Sequence, residues 1–147
     1  MLVKEIMTVP AVRIRHTSHL HHAAEIVALS AVSDLMVVDD DNNFLGVLSE
    51  GDILRAALPD LDEIHDQGGT LADAFEVFVT KGKSLSDRPI MPLVITAPLV
   101  LSPDDHVAAA TIILVKKMIR RLPVVSRGKL VGTVSRADVC RAVVGTL

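Results

Sequence analysis

The stretch GVLSEGDI, residues 46–53, has a second version near the other end of the chain, GTVSRADV, residues 132–139. Both follow the pattern G-x-x-S-x-x-D, which sets a serine and an aspartate three residues apart at the end of a short apolar run. Two occurrences of one pattern in a chain of 147 residues indicate an internal repeat. The repeat therefore governs how the rest of the chain is divided.

The similarity between the halves extends to both sides of this motif. Each half shows the order strand, helix, strand, strand, helix. The predicted strands are 12–15, 35–38 and 44–48 in the first copy and 99–101, 122–125 and 131–134 in the second; the predicted helices are 20–29, the segment after Ser49, 105–119 and 136–144. We therefore predict an α/β fold of the α+β type, in which two β-α-β-β-α repeats pack with pseudo-two-fold symmetry. Residues 1–58 form repeat 1, residues 59–89 a helical insert, and residues 90–147 repeat 2.

The insert and one helix carry further packing signals. Thr70 is a suitable N-cap for a helix with Leu71, Phe75, Phe78 and Val79 on one face, which we expect to pack over the repeats. The predicted helix over 105–119 is apolar nearly all the way round, so we expect it to be buried on more than one side. The second covering surface is the other repeat or a second subunit; the sequence leaves both open.

Composition excludes several classes of protein. The net charge is -3 and aromatic residues are 2% of the chain, which argues against a dedicated nucleic-acid binder. No apolar run reaches membrane-spanning length, and no signal peptide is evident. The single cysteine, Cys140, allows no internal disulfide, and we expect its thiol to be buried in the last helix. These features predict a cytoplasmic protein with no membrane contact.

The repeated motif has two interpretations. In the structural one, Ser49 and Ser135 cap the last helix of each copy, and Asp52 and Asp138 complete a capping box. In the functional one, the start of that helix offers unpaired N–H groups and a serine hydroxyl to a phosphate. An ionised aspartate one turn later accepts hydrogen bonds from both hydroxyls of a ribose. A phosphate beside a ribose describes a nucleotide.

On these residues the chain resembles the tandem CBS domain pair, or Bateman module. The resemblance rests on IMT before the first strand, LPVV on the second strand of copy two (LMVV in copy one), and G-x-x-S-x-x-D in both copies. It implies a regulatory module without catalysis or a resident cofactor. It also implies that AMP, ADP or ATP binds in clefts between the repeats, that the module forms a homodimer, and that a regulated partner protein, unknown from the sequence, reads the conformational change.

The resemblance also implies roles for individual residues. Asp52 and Asp138 match the ribose-binding aspartate, and Ser49 and Ser135 match the residue that faces the phosphate. The adenine pocket is expected to lie at residues before and within the first strands, namely Thr8, Val9, Val12, Thr96, Ala97 and Leu99.

The two clefts are predicted to differ in charge. Copy two has Arg120 and Arg121 before LPVV and Arg136 inside its motif, and guanidinium groups suit phosphate. Copy one has Ser33 and Asp34 in the first place and Glu50 in the second, and acidic side chains there would repel phosphate. We therefore predict that the nucleotide uses the cleft of Ser135 and Asp138.

The histidine-rich stretch RHTSHLHH is the remaining candidate for chemistry. His19 and His22 have a helical spacing that can bind metal, but no third ligand is evident, so no metal site is predicted. His16 could instead approach a ligand phosphate. Two alternatives to a nucleotide sensor stay open: a dimeric interaction scaffold whose clefts bind no nucleotide, and an enzyme or metal protein supported only by the histidines and Cys140.

Overall fold

The structure is a computed structural model that describes residues 1–145. In chain order the elements are β1 (Arg13–Arg15), α1 (Leu20–Ser30), β2 (Asp34–Val38), β3 (Phe44–Ser49), α2 (Glu50–Ala57), α3 (Leu61–Asp66), α4 (Leu71–Leu85), α5 (Val107–Lys116), β4 (Arg121–Ser126), β5 (Lys129–Ser135) and α6 (Arg136–Val144). The predicted α/β architecture is confirmed. Helix α3 was not predicted.

The first repeat is built on a three-stranded sheet in the order β1-β2-β3. Strand β1 runs parallel to β2, and β2 pairs antiparallel with β3. The acidic turn DDDNN, residues 39–43, joins β2 to β3 as an antiparallel hairpin. The Asp39 carboxylate accepts the N–H groups of Asp41 and Asn43 at 2.9 and 2.8 Å, and Asn42 takes a φ of 63°. Asparagine tolerates this left-handed conformation better than most residues.

The second repeat has a sheet of only two strands, β4 and β5. The strand predicted over 99–101 is wrong, since this segment makes a single parallel bridge, between Leu101 and Val124. Leu101 donates to the carbonyl of Pro123 at 2.9 Å and accepts from Val125 at 2.8 Å. Proline lacks an N–H group, so Pro103 cannot donate to Val125 and Pro123 cannot donate to Leu99, and the pairing does not extend in either direction.

The first segments of the two repeats cross over, and each packs into the opposite repeat. Val3 and Ile6, from the start of the first repeat, are buried in the core of the second. Ile90, from the start of the second repeat, is buried in the core of the first. Each core is therefore completed by chain from the other repeat, and the two repeats form a single packed unit.

The insert forms α3 and α4, and α4 packs against α2. As predicted, Thr70 caps α4, accepting the N–H of Asp73 at 3.1 Å. The predicted apolar face is only partly right, because Leu71 and Phe75 are 91% and 67% exposed while Phe78 packs inward. Helix α4 has 15 residues and α2 only 8, so the first turns of α4 extend past the end of α2.

Helices α5 and α6 bury one face only within the chain. On α5, Val107, Ala110 and Leu114 are buried, while Ile112 and Val115 are 54% and 64% exposed. Burial of α5 on several sides is thus not achieved within one copy of the chain. In residues 1–145 no helix has the length and apolar character needed to span a membrane.

Cys140 is exposed, which corrects the expectation of a buried thiol. Helix α6 turns Asp138 and Val139 towards the core. The next residue along a helix points about 100° away from its neighbour, and this places the Cys140 side chain at the surface.

Candidate functional site

Both copies of the motif form complete capping boxes. Ser49 caps α2 by accepting the N–H of Asp52 at 3.1 Å, and Ser135 caps α6 by accepting the N–H of Asp138 at 3.2 Å. In return, each aspartate accepts the serine N–H, at 3.1 Å in copy one and 2.8 Å in copy two. The structural interpretation of the motif is therefore correct in both copies, and any binding role is added to it.

Asp138 is buried and its carboxylate is fully hydrogen-bonded. Oδ2 accepts from the N–H and hydroxyl of Ser135, at 2.8 and 3.0 Å. Oδ1 accepts from the Thr8 hydroxyl at 3.0 Å and from Nη2 of Arg141 at 2.7 Å. Burial raises the pKa of Asp138, but these hydrogen bonds outweigh it and hold the pKa below its usual value. Asp138 is thus an anion at neutral pH, held by donors from both repeats.

Asp52 has fewer partners and greater exposure. Its Oδ2 accepts from the N–H and hydroxyl of Ser49, and its Oδ1 accepts from Arg55 at 2.6 Å. Burial raises the pKa of Asp52, but these hydrogen bonds bring it below its usual value. The side chain is 15% exposed, against 4% for Asp138. Within residues 1–145 no hydroxyl from the opposite repeat reaches it, because Ile95 lies at the position that Thr8 has in copy two.

The equivalence of Thr8 and Ile95 follows from the pairing of the strands. Thr8 and Thr133 exchange backbone hydrogen bonds of 2.8 and 3.1 Å, and Ile95 and Val47 exchange bonds of 2.9 and 3.0 Å. Thr133 and Val47 are the residues directly after the two motif glycines. The first segment of each repeat therefore lies as a short extra strand beside the motif strand of the other repeat.

This pairing explains why each motif begins with a glycine. A Cβ on Gly46 would contact the Ile95 carbonyl oxygen and lie 2.6 Å from Val94 Cγ1. A Cβ on Gly132 would lie 2.9 Å from Met7 Sδ and 3.0 Å from the Thr8 carbonyl oxygen. Glycine is needed at both places because the crossing segment passes directly over it. The recurrence of glycine was visible in the sequence, but the contact was not.

A cleft of about 450 Å³ lies between the repeats at the copy-one motif. Its wall includes Ser49 and Glu50 from the start of α2, Asp34 from β2, and Arg120 from the second repeat. Nη1 of Arg120 contacts the Glu50 carboxylate at 3.2 Å. Burial raises the pKa of Asp34. The hydrogen bond from Ser33 and the nearby arginines lower this pKa by less, so it lies above its usual value. A phosphate entering this cleft would compete with Glu50 for Arg120.

The structure distributes the three predicted phosphate-binding arginines differently from the sequence prediction. The Arg120 carbonyl accepts the N–H of Arg136 at 3.3 Å, but the Arg120 side chain lies in the Ser49 cleft, at Glu50. Arg121 donates to the Thr133 hydroxyl at 2.8 Å. Arg136 donates to the carbonyls of Ile119 at 3.1 Å and Leu114 at 3.2 Å, at the C-terminal end of α5. In this conformation Arg136 therefore stabilises a helix end, where unpaired carbonyls and the helix dipole favour a cation.

The residues predicted to form adenine pockets lie partly at the surface. Thr8 joins the two repeats, Val9 is 64% exposed, and Val12 packs against the core of the first repeat. In the other copy, Thr96 and Ala97 are exposed and Leu99 is 46% exposed. Exposed aliphatic side chains next to a motif strand can cover the face of a base, so both sets remain predictions.

His16 does not lie near Ser49. Its N–H donates to Val38, at the turn end of the first sheet, whereas Ser49 pairs with Asp34 at the other end of β2. The four-residue separation corresponds to about 13 Å along a strand. Contact of His16 with a phosphate at Ser49 is thereby disfavoured. The rings of His19 and His21 stack at 6.1 Å, and within residues 1–145 no group of three or more potential metal ligands is present.

Comparisons with known proteins cover nearly the whole chain. The model of the CBS domain matches residues 3–59 and 85–145. CBS domain-containing protein CBSX1, chloroplastic, from Arabidopsis thaliana is 31% identical over 140 residues, and the match covers 88% of this chain and 57% of CBSX1. The chain thus spans little more than half of that relative.

Two solved structures of similar chains contain AMP. CBSX2, a CBS-pair protein from Arabidopsis thaliana, is 25% identical in its complex with AMP, with a TM-score of 0.74 over 99% of this chain and 97% of that chain. CBS domain protein PAE2072 from Pyrobaculum aerophilum, complexed with AMP, is 26% identical, with a TM-score of 0.71 over 100% of this chain and 98% of that chain.

Proposed function

The chain belongs to the CBS domain family, and from that premise we propose that it is a regulatory module that binds an adenine nucleotide between its repeats. The observation that carries the proposal is that two chains of similar length, 25% and 26% identical, are complexes with AMP. In the proposal the ligand is AMP, ADP or ATP, and the module needs no resident cofactor and has no catalysis of its own. A reducing cytoplasm is the compartment that suits its single cysteine.

The geometry supports Asp138 as the main ribose-binding residue. Its Oδ1 lies 3.0 Å from the Thr8 hydroxyl, so the carboxylate adjoins the segment proposed to cover the adenine. A threonine hydroxyl rotates freely, and it can exchange its bond to Asp138 for one to a ligand. Ser135, at the start of α6, is then placed for a phosphate. Asp52 is the corresponding residue of a second, weaker site, because Glu50 competes for Arg120 there.

A bound ligand can act on both repeats because the segment of Thr8 crosses from the first repeat to the second. Ligand contacts at Thr8 and Asp138 bear on both repeats at once, so binding changes their relative placement. A ligand shifts such an equilibrium only by the difference between its affinities for the two states. The partner that reads this change is a protein that the chain contacts through its surface.

We further propose a homodimer formed through α5 and α6. These two packed helices carry four exposed apolar side chains, Ile112 and Val115 on α5 and Val143 and Val144 on α6. On the first repeat, α4 packs against α2, the helix that corresponds to α6. In the proposed homodimer, a second copy of the chain covers the exposed face of α5 and α6.

Titration calorimetry tests the nucleotide proposal. AMP, ADP and ATP are titrated into wild type, Asp138→Asn and Asp52→Asn. We expect the affinity of the best ligand to fall at least tenfold, or about 1.4 kcal/mol, in Asp138→Asn and less in Asp52→Asn. The matched control is Asp73→Asn, which removes the same capping-box carboxylate from α4, far from both motifs. An equal loss in the Asp73 variant would show that the effect is one of stability.

The alternative function is an interaction scaffold that binds no nucleotide. The complete hydrogen bonding of the Asp138 carboxylate within the protein favours it, because a ribose must displace Thr8 or Arg141. Absence of heat with all three nucleotides, together with a dimer in solution, would establish this alternative and overturn the sensor.

A further inference from the structure

An apolar pocket of about 310 Å³ lies where the insert packs on the first repeat. It lies between α1, α2 and α4 and is open to solvent on one side, and its wall is almost entirely hydrocarbon, with Leu20, Ile53, Phe78 and Leu85 among the side chains. Neither motif serine lines it, so it is separate from the proposed nucleotide clefts. The pocket exists only because of the insert, which supplies one complete wall.

Small residues leave the space open. Gly82 on α4 faces Ala57 on α2, and a Cβ added to Gly82 would lie 3.9 Å from that of Ala57. Neither residue has a side chain that extends into the pocket. A cavity of about 150 Å³ with similar walls binds benzene, a molecule of six carbons. This pocket is about twice as large, so it has room for roughly ten carbons.

The charge at the rim selects the head group. Lys83 lines the pocket and is exposed, so its stem follows the apolar wall while its ammonium group reaches solvent. Among residues 1–145 no carboxylate forms an ion pair with Lys83, whereas neighbouring Lys81 is held by Glu63 at 3.3 Å. His21, also at the rim, is bonded to the carbonyl of Ser86. An anionic head group would therefore find its partner at Lys83.

We propose that this pocket binds a straight-chain carboxylate of about ten carbons. The chain lies between α4 and the helices of the first repeat, and the carboxylate lies at Lys83. The site communicates with the inter-repeat cleft through α2, because Leu54 lines both. Binding itself does not depend on the proposed nucleotide function. If the protein binds the carboxylate but not AMP, this inference stands and the proposed nucleotide function is wrong.

Calorimetric titration of decanoate and hexanoate into the full chain, without nucleotide, tests the proposal. Decanoate is expected to bind with a stoichiometry of one, and hexanoate at least tenfold more weakly, because it buries four fewer methylene groups. Gly82→Leu fills the pocket and should weaken the binding of decanoate at least tenfold. Gly82→Ala adds one methyl group and should change the affinity for decanoate less than threefold. Leucine is the better helix former, so Gly82→Leu should fold.

The role of Lys83 is tested with Lys83→Gln, which should weaken the binding of decanoate at least threefold. The control is Lys116→Gln on α5, which should leave the affinity unchanged. Should Gly82→Leu fail to fold, Ala24→Phe enters the pocket from α1, with exposed Ala28→Phe on the same helix as its control. Unchanged affinity in the pocket-filling variant would place decanoate elsewhere, such as on the face of α5 and α6, and overturn the proposal. No binding of decanoate to wild type would overturn it as well.

Discussion

Replacing Thr8 by valine removes the one side-chain hydrogen bond that joins the first segment of the first repeat to the motif of the second. Valine keeps the shape of threonine, so the change isolates the hydroxyl bond to Asp138, which is 3.0 Å long. A hydrogen bond to a charged group contributes about 1.5–3 kcal/mol. Water can partly replace this donor because Thr8 is exposed, so we expect a loss of about 1.2 kcal/mol.

The expected loss converts to a measurable change in melting temperature. At about 2.1 cal/mol/K per residue, the entropy of unfolding of a 147-residue chain is about 0.3 kcal/mol/K. The melting temperature of Thr8→Val, followed by circular dichroism at pH 7, should therefore fall by about 4 °C. Thr111→Val is the matched control. It removes only a bond from the Thr111 hydroxyl to the Val107 carbonyl within α5, which contributes little.

The loss of stability in Thr8→Val should depend on pH, because the bond is to an ionised carboxylate. The pKa of Asp138 lies below its ordinary value of 3.8, so its stabilising contribution is present above that pH and is lost as pH falls through the folded-state pKa. Thr8→Val removes one of the bonds that lower this pKa. The difference between wild type and variant should therefore be largest at neutral pH and narrow below pH 3.8. A difference under about 0.4 kcal/mol at pH 7, or one that grows on acidification, would refute the reasoning.

Three further changes test other parts of the structure. In urea denaturation, Gly46→Ala should lower the free energy of unfolding by about 3 kcal/mol, because the new methyl group meets the backbone at Ile95. The control, Gly51→Ala inside α2, should leave the free energy of unfolding unchanged or raise it. Val115→Glu should shift the chain from dimer to monomer in light scattering, whereas Leu71→Glu should not; a dimer that persists in Val115→Glu would place the interface elsewhere. Arg136→Gln should cost about 1 kcal/mol of stability and change AMP affinity less than threefold; a larger change would restore its predicted role at the phosphate.

Much of the fold could be predicted because its signals are local. The hairpin of the first repeat follows from β-rich runs around DDDNN, and α6 begins at Arg136 because Ser135 and Asp138 form a capping box. Comparison of the two halves then supplied the order of elements. The strand over 99–101 was over-predicted, since an apolar run does not show whether a partner strand is free to pair with it.

The candidate site was predicted by residue type but not by arrangement. Which arginine lies in which cleft depends on contacts such as that of Arg120 with Glu50, 70 residues apart in the chain. Arg136, one residue after the motif serine, looked equally available for phosphate, yet the carbonyl groups at the end of α5 bind it. No pattern along the chain records such competition for a guanidinium group.

The sequence by itself determined the repeat, the capping boxes, the order of helices and strands apart from α3 and the segment 99–101, and the pairing of a serine with an aspartate at each motif. Only the tertiary structure decided that the first segments of the repeats exchange partners, with Thr8 bonded to Asp138 across 130 residues of chain. The physical reason is that capping and hairpin formation depend on neighbours within a few residues. Contacts between distant segments depend instead on which surfaces remain unpaired once the local elements have formed.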